Sequence, residues 1–210
     1  MNSDSGNWTR EAVYEGFNEF KVDNKTLWPL ICDVRSIKTG EEIEVLRYAA
    51  KRSSEAHVEV MKLIRPGMME YQIEAIFKHY CLFYGGMRHV AYTCICATGS
   101  NGAVLHYGNA NAPNDKVVKD GDMSVFDMGN EYYCYISDIT TSYPVNGKFT
   151  PDQAAVYNAV LRANRAVMDA VKPGVSWVDM HLLALKVILE DLVKLGLLKG
   201  SVDEMMKVSS

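Results

Sequence analysis

No run of apolar residues in this sequence approaches the roughly 18 needed to cross a bilayer. The polar start MNSDSGNWTREAV has none of the apolar core of a signal peptide. Nor is there a basic stripe: the net charge is −4, which argues against nucleic acid as a partner. The expectation is a cytosolic chain bound to neither membrane nor nucleic acid. Cysteine is sparse, and its count of five is odd and fits no disulfide framework. Cys94 and Cys96 form a C-x-C within YTCICATG and would share one face of a strand. No second thiol or histidine pair completes a zinc set, so they read as buried structural thiols, like Cys81 and Cys134 inside their apolar runs. G-x-S-x-G, the phosphate loop and H-E-x-x-H are all absent, and with them three common routes to hydrolysis or nucleotide binding. The sequons at Asn7 and Asn24 read as accidental in such a chain.

What is present is an ordinary globular composition: 48% hydrophobic residues in 210, enough for one domain with a core or for part of a larger one. Residues 1–38 carry no strong period and read as a linker or remnant ahead of a domain over 39–210. From Thr39 the apolar spacing predicts a helix, with Glu42 at capping-box distance and Pro66-Gly67 as its stop. MMEYQIEAIFKHYCLFYGG predicts a second helix, closed by Gly85-Gly86. HVAYTCICATGS, GAVLHYG and DMSVFDMG then read as strands, and EYYCYISDITTSYPV as the longest one. Helix returns after Thr150 as N-cap and Pro151 at the first helical position, stops at Pro173-Gly174 and resumes. The strings EVMKLIRPGM and AVMDAVKPGV end the first helix of each pair, which points to an internal duplication. In the second copy no strands follow.

Asp127 and Asp138 stand among Val, Phe, Tyr and Ile, where aspartate is uncommon unless it is paired or holds a cation. A turn at residues 129–131 would set the two carboxylates side by side on paired strands, roughly 5 Å apart if directly opposed. Two bare carboxylates that close must share a proton or a cation. Cys134, Ile136, Asp138 and Thr140 would share one strand face, with Thr140 supporting a ligand. Such oxygen donors suit a hard or borderline divalent metal such as manganese. The alternative is that both aspartates cap turns or face water. His106, after three apolar residues, is expected to point into a protected place, as a functional group or as a hydrogen-bonded core histidine. His89 and Tyr92 line the same cleft or merely pack, and His57, His79 and His181 read as ordinary helical histidines.

GGMRHVAYTCICATGSNGAVLHYGNANAPND, GDMSVFDMGNEYYCYISDITTSYP and NGKFTPDQAAVYNAVLRANRAVM closely resemble the prolidases, within the pita-bread metallopeptidases. The likeness runs from about Asn2 to about Met206. It implies an α/β (α+β) pita-bread fold of two pseudo-symmetric halves around a site for two manganese ions, and a homodimer in the complete protein. It implies that Asp127 and Asp138 are metal ligands, that His106 holds substrate beside the metals, and that Tyr92 lines the same pocket. The implied substrate is a dipeptide with carboxy-terminal proline or hydroxyproline. The family site also takes one histidine and two glutamates from later motifs that nothing here resembles. The chain is therefore expected to hold the first half of the fold plus the helix pair of the second, and to be inactive alone. The competing expectation is a peptide- or protein-binding module on the same fold, without turnover.

Overall fold

The structure, a computed structural model, describes residues 13–23, 25–107 and 114–208. It divides into two units, Met1–Glu44 and Val45–Ser210. The sequon residues Asn7 and Asn24 lie outside the described residues.

The first unit has more structure than its sequence advertises. A 3-10 turn at Phe17–Glu19 precedes helix α1 (Leu27–Ser36). Asp23 starts α1 by accepting from the amides of Lys25 and Thr26 and from the Thr26 hydroxyl. No residue of α1 is buried; Leu27, Leu30, Ile31 and Val34 line up at helical spacing, and Leu27, Leu30 and Val34 are exposed. Helix α2 (Gly40–Leu63) opens on the expected capping box: the Thr39 amide donates to Glu42 Oε2 at 2.6 Å, and the Glu42 amide to Thr39 Oγ1 at 3.2 Å.

In the second unit, α2 runs on to Leu63 and turns at Gly67, whose φ of 94° suits glycine, into α3 (Glu70–Gly85). Strands β1 (His89–Val90), β2 (Ile95–Thr98), β3 (Ser124–Asp127), β4 (Asn130–Tyr132), β5 (Tyr135–Ile136) and β6 (Thr140–Thr141) follow. They form two antiparallel sheets, ordered β1-β4-β5 and β2-β3-β6. The ladder continues between them through Met128 N to Ile139 O at 3.1 Å and Ser137 N to Asn130 O at 3.0 Å. Residues 124–141 are thus one long, interrupted hairpin.

Four expectations are corrected here. The stretch after Glu131 is not one strand, because the chain folds back at Tyr133 and Cys134, both in the left-handed region (φ 48° and 67°) that a tight two-residue hairpin turn requires. Cys134 is accordingly exposed on a turn, not buried, and its amide donates to Glu131 Oε1. Residues 129–131 make no turn; Asn130 and Glu131 belong to β4. Residues 102–107 of GAVLHYG form no strand either, since Gly99–Ala103 is a 3-10 helix tied to a buried carboxylate instead of a ladder.

Ala49, Ala56 and Val60 of α2 and Ile73, Phe77 and Cys81 of α3 pack with Cys94, Cys96, Phe126 and Met128 in the core. Each large side chain so enclosed contributes about 1.5–3 kcal/mol. Beyond the sheet, α4 (Pro151–Ala170) starts at a Thr150–Gln153 capping box and packs against α5 (Trp177–Lys194), where Arg162 Nε meets Asp191 Oδ2 at 2.6 Å. A short α6 (Val202–Val208) follows. Gly174 (φ 86°) repeats the role of Gly67. Matching Pro66 to Pro173 sets Ala49, Ser53 and Ile64, at most 2% exposed, against Val156, Val160 and Val171, which are 41%, 53% and 50% exposed. The second helix pair keeps an apolar face that no sheet covers among the described residues.

Candidate functional site

Asp127 ends β3, opposite Ile95 on one side and Thr140 on the other. Asp138 lies two residues before Thr140, in the extended link between β5 and β6, so the two aspartates are diagonal neighbours and not directly opposed as expected. Diagonal positions stand roughly 7–8 Å apart on an antiparallel pair, within reach of a bridging side chain.

Tyr92 is that bridge. Val90 pairs with Asn130 and Ile95 with Asp127, so four residues, 91–94, face only two, Met128 and Gly129. The extra residues make a bulge, which re-aims a side chain. The Tyr92 hydroxyl donates to Asp127 Oδ1 at 2.5 Å and lies 3.1 Å from Asp138 Oδ1. Burial and then the Asp127 carboxylate push the phenol well above its ordinary range, so it remains a donor. Glycine is required at Gly129, because an added Cβ would fall on the carbonyl oxygen of Ser137. That close approach sets the separation of the two arms next to Asp138.

The backbone behind the carboxylates is pinned to α2. His57, 2% exposed, donates from Nε2 to Met128 O at 2.9 Å and accepts at Nδ1 from Thr141 Oγ1 at 3.2 Å. Burial holds its pKa below the ordinary value, which agrees with a neutral ring. Ser137 Oγ donates to Ser53 Oγ at 2.7 Å, and Ser53 Oγ also accepts from the Asn130 amide at 3.3 Å.

Of the four residues singled out in the sequence, the structure joins Tyr92, Asp127 and Asp138 by direct hydrogen bonds. His106 is not in a protected place: it is exposed, in the left-handed region (φ 56°), on the loop that follows the 3-10 helix. His89 is exposed in β1 opposite Glu131. Cys94 and Cys96 are buried as expected. Burial pushes the Cys94 thiol up to about 12 and that of Cys96 well above its ordinary value, so neither offers a thiolate. Besides His57, two groups escaped the sequence reading. Asn114 presents Oδ1 to Cys96 N at 2.8 Å and Nδ2 to Cys94 O at 3.0 Å, so its amide caps the edge of β2 as a neighbouring strand would. Glu70 is fully buried in a polar network. Neither carried a sequence signal, since their partners lie far along the chain.

Two anionic oxygen donors fit a hard divalent cation in kind. Among the described residues no cluster of three or more His, Cys, Asp or Glu forms a metal-binding group. The pair therefore supplies part of a coordination sphere, and no reaction step follows from it alone.

The model of metallopeptidase family M24 matches residues 44–204, and the chain belongs to that family. It is 59% identical over 208 residues to the Xaa-Pro dipeptidase of Rattus norvegicus, and 58% identical over 207 residues to that of Homo sapiens. Each alignment covers 99% of this chain and 42% of the relative. The solved structure of Pseudomonas aeruginosa aminopeptidase PepP matches with a TM-score of 0.82 at 43% identity, covering 87% of this chain and 40% of that one. The fold is that of the pita-bread peptidases, in part. The chain spans about two-fifths of the length of these proteins.

Proposed function

We propose that this chain carries part of a site that hydrolyses dipeptides with carboxy-terminal proline or hydroxyproline, using manganese, two ions to the complete site. Asp127 and Asp138 are the metal ligands in this reading, and Tyr92 and His106 face the substrate. The observation that carries it is the convergence of both carboxylates on the Tyr92 hydroxyl, at 2.5 and 3.1 Å. Two carboxylates drawn together at a partly open surface, with no Lys or Arg ion pair to either among the described residues, suit a cation better than they suit a structural ion pair. Divalent ions bound there would supply Lewis acidity toward the peptide carbonyl and the attacking water. The chain's own residues do the rest: Tyr92 orients the carboxylates while keeping its proton, and His106 contacts the dipeptide.

The relatives' names support the substrate class, since they are Xaa-Pro dipeptidases. A cytosolic location and a homodimer in the complete protein belong to the same proposal; among the described residues no helix is long and apolar enough to cross a membrane. The second reading, a peptide-binding module without turnover, is favoured by the lack of a third ligand among the described residues. A chimera separates the two. Residues 1–210 replace the matching segment of the Homo sapiens Xaa-Pro dipeptidase, and glycyl-proline hydrolysis is measured with manganese. The hydrolase reading expects turnover that Asp138→Asn abolishes. A folded chimera without turnover supports the binding module.

A further inference from the structure

Glu70 opens α3 with its side chain fully buried. Among the described residues no cation pairs with it. Lys116 Nζ goes instead to Thr98 O and Asp122 Oδ2, each at 2.8 Å. The donors to it among the described residues are neutral. Oε1 accepts from the Thr98 amide and hydroxyl, both at 2.7 Å, and Oε2 from the Tyr107 hydroxyl at 2.7 Å and the Lys116 amide at 3.3 Å. Asn101 Nδ2 lies 3.3 Å from both oxygens.

These donors are not scattered. Thr98 ends β2, Asn101 sits in the 3-10 helix, Tyr107 follows His106, and Lys116 lies where the chain returns to pair its carbonyl with the Glu70 amide at 3.0 Å. One carboxylate therefore grips the entry, the body and the exit of the segment that carries His106. Between the grips the chain projects: Leu105 is 86% exposed, and His106 holds a positive φ of 56°. A non-glycine residue keeps that conformation only where its surroundings over-determine it. A charged acceptor gives stronger bonds than a neutral one, which is what an exposed tip of fixed shape needs.

We propose that Glu70 is a positioning residue, which acts through Tyr107 and Thr98 to hold the His106 imidazole where a peptide substrate meets it. The proposal rests on the reading of His106 as a substrate contact, and its test works without turnover. The chain is labelled with 15N-histidine, and the His106 ring signal is assigned by its loss in His106→Gln. In Glu70→Gln that signal moves toward the position of a free peptide while those of the other four histidines stay. Thermolysin then cuts before Leu105 about tenfold faster, since opening of the loop is no longer opposed by the anchor. Tyr107→Phe, which removes a single bond to Glu70, gives the same His106 change in a smaller degree and keeps the proposal testable if Glu70→Gln does not fold. In the chimera, Glu70→Gln raises KM for glycyl-proline about tenfold and changes kcat by less than about threefold, the mark of lost substrate binding. An unmoved His106 signal in either folded variant overturns the proposal, as does equal disturbance of all five histidines by Tyr107→Phe. A chimera with no turnover ends the hydrolase reading but leaves the histidine and cleavage results to decide the part played by Glu70.

Discussion

His57 donates from Nε2 to the carbonyl oxygen of Met128 across 2.9 Å, tying α2 to the residue that follows Asp127. Because burial depresses its pKa, the folded chain takes up a proton here less readily than the unfolded chain, whose histidine titrates at about 6.5. The stability contribution is then fully present above about pH 6.5 and is lost as pH falls toward the folded value. Urea midpoints at pH 7.5 and 5.5 should show the chain weakening on acidification. His57→Ala should be less stable by about 2–3 kcal/mol at pH 7.5, with the weakening on acidification reduced. An equal pH slope in both proteins would count against a neutral, buried ring.

Gly129→Ala places a methyl group on the carbonyl oxygen of Ser137, and backbone cannot yield as a flexible side chain does. The substitution should cost at least about 3 kcal/mol, beyond ordinary overpacking, because the arms bearing Asp127 and Asp138 must part. Urea unfolding followed by tyrosine fluorescence reads it. A loss below about 1 kcal/mol would show that the arms are not clamped there.

Tyr92→Phe leaves the ring in place and removes the donor shared by Asp127 and Asp138. A hydrogen bond to a charged group contributes about 1.5–3 kcal/mol, so the metal-free variant should lose about that much stability. Denaturation in the presence of a chelator is the measurement.

Much of this was legible where the physics is local. Thr39 with Glu42 is a capping box written within four residues and Thr150 an N-cap, and both formed as read; Gln153, which was not singled out, completes a second box with Thr150. The hairpin turn was not legible, because Tyr133 and Cys134 adopt positive φ without the glycine or asparagine that usually signals it. Gly129 looked like a turn residue, yet its reason is a contact with Ser137 made only after folding. Asp127 and Asp138 stood out as carboxylates in apolar strands. Their diagonal register depends on where the turn falls, and the sequence misled on that point. Glu70, Asn114 and His57 left no trace, since a buried polar group is explained only by partners that the chain order does not bring near.

His106→Ala in the chimera should lower kcat/KM for glycyl-proline about tenfold or more, chiefly through KM, while bound manganese stays unchanged, because an exposed side chain outside the carboxylate pair can be removed without disturbing metal. Parallel loss of activity and melting temperature would instead assign His106 a structural part.

The central claim is that Asp127 and Asp138 hold a divalent metal, and manganese binding to residues 1–210 tests it most directly. Electron paramagnetic resonance of free manganese, titrated with the chain, gives the affinity. With two carboxylate ligands the account predicts weak binding, with a Kd on the order of 10⁻³ M. Asp127→Asn or Asp138→Asn should weaken it further by about tenfold, since each removes an anionic donor. Binding that is unchanged in both variants would contradict the account.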